Sequence, residues 1–245
     1  MEFKYLAFDL ETAKVQAPRQ CDWMLHRPLG ISCAATYSER AKEPVLWYGG
    51  RRRRSPSSQM TVAEARTLVK YLQQQVSAGY TIVTWNGIGF DFDILAEESG
   101  MYSICRLLAL GHVDMMFHLL CELGFGVSLN AAARGMNLTR KIEKRTGALI
   151  PNQWAGGRYE EVFGHVTRDV RTILALAKLC PERGFLRWIT RWGTGRIMRL
   201  PGGWRKVSAA QSGPVPSEFH GHEHWSRERV VAWMGSLESI RGKKA

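Results

Sequence analysis

Apolar and polar residues alternate from Phe3 to Glu11 with the two-residue period of a strand, so Leu6, Phe8 and Leu10 point to one face and Asp9 and Glu11 to the other. Leu29 to Tyr37 and Val45 to Tyr48 also read as strands joined by a charged turn, and with the first they predict an antiparallel meander. The period then changes. Val62, Ala65, Leu68, Val69, Leu72 and Val76 recur at helical spacing across Thr61 to Ser77, and Thr61 with Glu64 forms a capping box at the start. Thr81 to Thr84 is a short apolar strand, and the glycines of Trp85-Asn86-Gly87-Ile88-Gly89-Phe90-Asp91 allow a tight turn into a helix that begins near Asp91. His112-Val113-Asp114 reads as a further short strand or helix start. Helices are expected at Met115 to Leu123, at Ser128 to Arg134, and from about Tyr159 to Leu179. The last carries an apolar stripe of Val162, Val166, Val170, Ile173, Leu176 and Ala177.

Beyond Pro181 the pattern shifts. Gly184 to Lys206 mixes aromatic and basic residues with Gly turns and predicts a small hairpin, and Gln211 to Glu218 is a Ser/Pro-rich linker. Ser226 to Leu237 is expected as a final helix, either packed back on the body or offered to a partner. The chain thus divides into an α/β domain, residues 1–180, and a basic, Trp-rich C-terminal extension, residues 181–245.

Composition narrows the function classes. An apolar content of 45% with 9 Trp, 9 Phe and 7 Tyr supports a real core and excludes wholesale disorder. Lys and Arg outnumber Asp and Glu by 34 to 22, a net charge of +12, which favours a polyanionic partner, nucleic acid being the usual one. No basic amphipathic helix favours a membrane surface, and no stretch approaches the roughly 18 apolar residues of a span. Cys21, Cys33, Cys105, Cys121 and Cys180 are odd in number and form no C-x-x-C pair, so free thiols in a reducing, cytoplasmic setting are expected.

Candidate chemistry lies in three places. Asp9 and Glu11 share one small volume, and like charges that close invite a divalent cation between them. Asp91 stands at a strand-to-helix turn, as a ligand or as a cap, with Asp93 the less favoured ligand and Asp114 read first as a cap. His165 and Asp169 are four residues apart on the apolar seam of the long helix, where a charge is costly unless paired or metal-bound. Around these, the polar segment Ala13 to Pro28 is either an overhang or a surface connection. Arg51 to Arg54 and the turn with Lys141, Lys144 and Arg145 are candidate phosphate contacts, while His220, His222 and His224 read as a basic tail.

Taken in order, Asp-x-Glu on a first strand, Asn-Gly-x-x-Phe-Asp-x-x-x-Leu at a turn, and a late helical Asp preceded by a polar residue one turn earlier resemble the DEDD superfamily of 3′-to-5′ exonucleases. The resemblance covers residues 1 to about 180. It implies an α/β, ribonuclease H-like mixed sheet, antiparallel meander plus parallel strands, flanked by helices. It implies that Asp9, Glu11, Asp91 and Asp169 hold two Mg²⁺ or Mn²⁺ ions for two-metal-ion hydrolysis of phosphodiester bonds at single-stranded or frayed 3′ ends of DNA or RNA. Thr12 and Asn86 match positions that contact the terminal nucleotide. The superfamily's fifth residue is a Tyr four before the last Asp or a His five before it, and this chain has His165 at the Tyr spacing, with Gly164 at the other. His165 is therefore expected to orient or deprotonate the attacking water. The alternative is a degenerate, non-catalytic member that binds nucleic-acid ends.

Overall fold

The computed structural model describes residues 4–14, 23–50, 55–139, 149–213 and 226–235. Arg51 to Arg54, the Lys141 to Arg145 turn and the His220 to His224 stretch lie outside the described residues.

Five strands form one mixed sheet: β1 (Tyr5–Thr12), β2 (Ile31–Ser38), β3 (Val45–Tyr48), β4 (Thr81–Thr84) and β5 (Val113–Asp114), in the spatial order β3-β2-β1-β4-β5. The expected meander is present, β2 pairing antiparallel with both β1 and β3, while β1, β4 and β5 pair in parallel. The parallel steps are bridged by α1 (Val62–Ser77) and by α2 (Asp91–Ser99) with α3 (Tyr102–Gly111), as parallel neighbours require long crossovers. The central strand β1 is buried on both faces. Leu6, Phe8 and Leu10 enter one core with Leu68, Leu72 and Phe92; Tyr5 and Ala7 enter the other with Val166, Val170 and Ile173.

That second core is covered by α5 (Leu129–Gly135), α6 (Ile150–Ala155) and α7 (Tyr159–Arg183), while α4 (Met115–Leu123) is buried on all sides from Met115 to Cys121 and feeds both. The capping box at Thr61 and Glu64 is formed, and Ser128 caps α5 as read. Three helices that the sequence pattern does not announce, α3, α6 and α8 (Val207–Gln211), are short and begin without a side-chain cap to mark them. The long helix α7 runs four residues beyond its expected end, with Pro181 in its last turn, and stops where Gly184 adopts φ 73°.

The expected hairpin is β6 (Phe185–Ile189) with β7 (Gly195–Arg199). It does not stand apart: Leu186, Trp188, Met198 and Leu200 are buried in the same core as the α7 stripe. The C-terminal helix is α9 (Arg227–Val231), followed by a 3₁₀ turn to Met234; Val230 and Met234 pack back on the core.

Helix α5 meets β6 with almost no gap. A Cβ at Gly135 would stand 2.2 Å from the Arg187 carbonyl oxygen and 2.4 Å from the Trp188 Cα, both backbone atoms that cannot swing aside. Gly135→Ala is therefore expected to cost about 1–3 kcal/mol through overpacking. A lowered melting temperature checks this, at about 2–4 °C per kcal/mol for a chain of this size; an unchanged one would contradict the packing described.

Candidate active site

Asp9 and Glu11 leave β1 on the face that α7 covers, as the strand period requires, and Glu11 is buried. Asp91 joins them from α2. It is the first residue of that helix and does not cap it, the cap position falling to Phe90. Instead its Oδ1 accepts the Leu10 backbone N–H at 2.8 Å. Strand β4 pairs with β1 only as far as Ala7 and Val83, so Leu10 lies past the ladder and its buried N–H needs another acceptor. One hydrogen bond thus fastens Asp91 between the two strand carboxylates.

From the other side α7 presents His165 and Asp169, one turn apart. The His165 Nε2 lies 3.5 Å from Glu11 Oε1 and 3.5 Å from Asp169 Oδ2, longer than an ordinary hydrogen bond. Its Nδ1 is buried with no hydrogen-bond partner among the described residues, and so is Asn86 Oδ1. Asp9, Glu11, Asn86, Asp91, His165 and Asp169 all line one cleft of about 780 Å³. Thr12 does not line it and is itself buried.

Withdrawal from water pushes the Asp9 carboxyl well above the usual carboxylate range, and the charges of Asp91, Asp169 and Glu11 push it the same way. Burial likewise raises Glu11, with Asp169 and then Asp91 adding to it. Asp91 is pushed up to about 8 by burial, partly opposed by the Leu10 N–H and raised again by Asp114 and Asp169. Burial first, and then the neighbouring acids including Asp169, therefore hold Asp9, Glu11 and Asp91 off their charged form, an opposition that a cation between them would relieve. Carboxylate oxygens are the donors that hard divalent ions take. Among the described residues, however, no three His, Cys, Asp or Glu side chains are grouped as a ready-made ion cage.

The turn that carries Asn86 is held from beneath. Asp114 caps α4 through the Phe117 N–H at 3.0 Å, as read, and its two oxygens also accept the N–H groups of Asn86 (3.0 Å) and Ile88 (2.9 Å). His112 Nδ1 faces the Ala109 carbonyl at 2.6 Å, so it carries the proton, leaving Nε2 to accept from Thr84 Oγ1 at 2.9 Å. Burial holds the His112 pKa below its ordinary value, against the pull of Asp114 and the Ala109 carbonyl. Thr84 Oγ1 in turn accepts the Gly87 N–H at 3.2 Å, and Asn86 takes φ 72°, a conformation Asn tolerates. From outside, the Trp233 indole donates to the Ile88 carbonyl at 2.7 Å.

Asp93 is not part of the cleft. Arg27 grips both its oxygens at 2.7 and 2.8 Å and reaches Glu97 at 2.9 Å, which ties the end of the Ala13 to Pro28 segment to α2. Residues that a reading by motif passed over complete the cleft: Ser128, Asn130 and Thr139 on one wall, Arg168, Arg171 and Thr172 on α7. The α7 trio was discoverable as the helical neighbours of Asp169; the other wall comes from a distant stretch with no motif. Among the described residues no helix is long and apolar enough to cross a membrane, and Cys33, Cys105, Cys121 and Cys180 are free and buried.

Strand order 3-2-1-4-5, with β2 alone running against the others and helices on both faces, defines a ribonuclease H-like α/β protein. Residues 45–180 match the family model described as RNase_H superfamily. That is more than half of the 245 residues, and the chain belongs to this superfamily. The matched stretch includes Asn86, Asp91, His165 and Asp169 but begins after Asp9 and Glu11. No curated protein matches the chain. Among solved structures it is similar to the family B DNA polymerase of the hyperthermophilic archaeon Pyrobaculum calidifontis, with 18% identity, a TM-score of 0.49, and coverage of 73% of this chain and 24% of the polymerase. A likeness at that level says nothing of activity.

Proposed function

We propose that the chain is a metal-dependent 3′-to-5′ exonuclease of the DEDD kind, hydrolysing phosphodiester bonds at single-stranded or frayed 3′ ends of DNA or RNA. The observation that carries this is the convergence of Asp9, Glu11, Asp91 and Asp169, from three separate elements, on one open cleft in which their charges oppose one another. In this reading the four carboxylates hold two Mg²⁺ or Mn²⁺ ions. When bound, the ions supply Lewis-acid activation of water and neutralise charge on the scissile phosphate. Asn86 Oδ1, buried and without a partner among the described residues, accepts from the terminal nucleotide; Thr12, buried and outside the cleft lining, is assigned no such contact. Arg168 contacts backbone phosphate from the α7 wall. The catalytic unit is residues 1–180, the remainder an extension; free buried thiols support a cytoplasmic setting.

His165 is assigned to orient or deprotonate the attacking water, because it borders both Glu11 and Asp169 on the cleft wall. One observation favours a second reading, in which the chain binds ends without cutting them: His165 Nε2 is directed at two carboxylates.

The assay that separates them follows 3′-labelled DNA and RNA oligonucleotides in matched reactions with Mg²⁺ or Mn²⁺. Stepwise loss of nucleotides is expected, and binding without any loss would leave the end-binding reading. In the same assay His165→Ala is expected to slow turnover about 10²–10⁴-fold, as for loss of a general base, with partial recovery in His165→Tyr. Equal turnover in all three proteins would remove His165 from the chemistry.

A further inference from the structure

The β6–β7 hairpin has two unlike faces. In register, Leu186 opposes Met198 and both point inward with Trp188, while Arg187 opposes Ile197 and Phe185 opposes Arg199 on the other face. Arg187, Ile197 and Arg199 are exposed there, and at the tip Arg191 stacks over Trp192 at 4.1 Å from the ring centroid. Trp192 is 75% exposed and Ile197 59%, two large apolar side chains left in solvent on a ribbon otherwise lined with arginine. Nor is the charge balanced locally. Residues 184–206 contain six Arg or Lys and no Asp or Glu, and among the described residues Arg187, Arg191 and Arg199 make no ion pair.

This surface is mechanically continuous with the cleft. The first residues of α5 line the cleft wall, while its far end, at Gly135 and Met136, packs on the β6 backbone, where Met136 sulfur accepts the Arg187 N–H at 3.2 Å. The whole helix is seven residues, about 10 Å of axis from one place to the other.

We propose that the outer face of the β6–β7 hairpin is a second contact surface for single-stranded nucleic acid, holding the strand a few nucleotides upstream of the 3′ end that occupies the cleft. Trp192 offers a flat ring for a base, and Arg187, Arg191 and Arg199 take backbone phosphates; neither contact reads sequence. The substrate class is thereby narrowed to strands long enough to span both places. This inference rests on the reading of the cleft as a nucleic-acid site.

The test is equilibrium binding of the full chain to 5′-fluorescein oligo(dT) of 4 and of 20 nucleotides, read by anisotropy. Trp192→Ala is expected to weaken the 20-mer about tenfold, in the range measured for loss of one stacked base, and to leave the 4-mer unchanged. The triple variant Arg187→Gln, Arg191→Gln, Arg199→Gln is expected to lower the slope of log Kd against log salt by about 2, near 0.7 for each phosphate contact on a single strand. All four side chains are exposed, so melting temperatures should match the native protein. Unchanged 20-mer binding overturns the proposal, as does equal weakening of both lengths. Loss of binding to phosphatidylserine vesicles with oligonucleotide binding intact also overturns it, in favour of a lipid surface. If cleavage is absent but the variants weaken the 20-mer as expected, the exonuclease reading falls and the hairpin surface stands. Normal cleavage with unaltered length dependence sinks the hairpin alone.

Discussion

Asp9→Asn is expected to abolish 3′-end degradation and, in the same protein, to raise the melting temperature measured without divalent ions. The two effects have one cause. Asp9 is withdrawn from water beside Asp91, Asp169 and Glu11, and all of these raise its pKa, so its negative charge works against the fold. Asn keeps the volume and removes the charge. Without that charge the cleft loses a ligand of the proposed metal pair, and cleavage should fall by at least about 10³-fold, the scale on which removal of transition-state charge stabilisation is felt.

The pH dependence has a definite sign. A carboxyl whose pKa is raised on folding binds more protons in the folded state between the unfolded value, about 4, and the folded one. Its contribution to stability is present below that window and lost as pH rises through it. For Asp91 the window closes at about 8. The native protein without divalent ions should therefore melt at progressively lower temperature from about pH 4 to about pH 8, and Asp9→Asn should show a shallower slope. Saturating Mg²⁺ or Mn²⁺ should raise the native melting temperature most at the high end and the variant's far less. Differential scanning calorimetry across pH, with and without the ions, reads all of this independently of activity. A variant that melts lower than native at pH 8, or cleaves normally, would dispose of both the electrostatic description and the metal assignment.

Asp114→Ala is expected to be the most destabilising single change near the site, by about 5 kcal/mol. The carboxylate is fully enclosed and accepts three backbone N–H groups, from Asn86, Ile88 and Phe117. Truncation leaves all three buried without an acceptor, each costing about 1–3 kcal/mol. At about 2–4 °C per kcal/mol the melting temperature should fall by more than 10 °C. Asp114→Asn tests the mechanism, since the amide retains one acceptor oxygen and gains a donor that clashes with a facing N–H; it should fall between Ala and native. Equal stability of Asn and native would show that the second oxygen does nothing. Because these bonds shape the turn that carries Asn86, substrate affinity should weaken in Asp114→Asn even where the fold is retained.

Much of the site could be read from spacing. A two-residue period put Asp9 with Glu11, and a four-residue spacing put His165 with Asp169, because strand pleat and helix pitch are properties of neighbouring residues. Capped helices and the hairpin were legible for the same reason: a Thr61–Glu64 box or a Gly-punctuated aromatic run acts within a single turn. The motif order favoured Asp91 over Asp93, but no local pattern contained the partner that would hold each of them. Asp91 and Asp93 are two residues apart and chemically alike, yet one bonds Leu10 in the cleft and the other is clasped by Arg27.

That choice was made by long-range pairing. Strand β4 lies beside β1 only as far as Ala7, which leaves the Leu10 N–H open for an acceptor 81 residues away, and a bond over that separation has no signature in either segment. The same holds for Asp114 beneath the Asn86 turn, for the α5 wall of the cleft, and for the burial of Trp188 but not Trp192 in the hairpin. By itself, the sequence determined the elements, the faces they present and the pairs within one turn, through periodicity and capping. Only the tertiary structure decided which faces meet, because that depends on strand order and on the satisfaction of buried backbone groups, both of which are settled only when the whole chain packs.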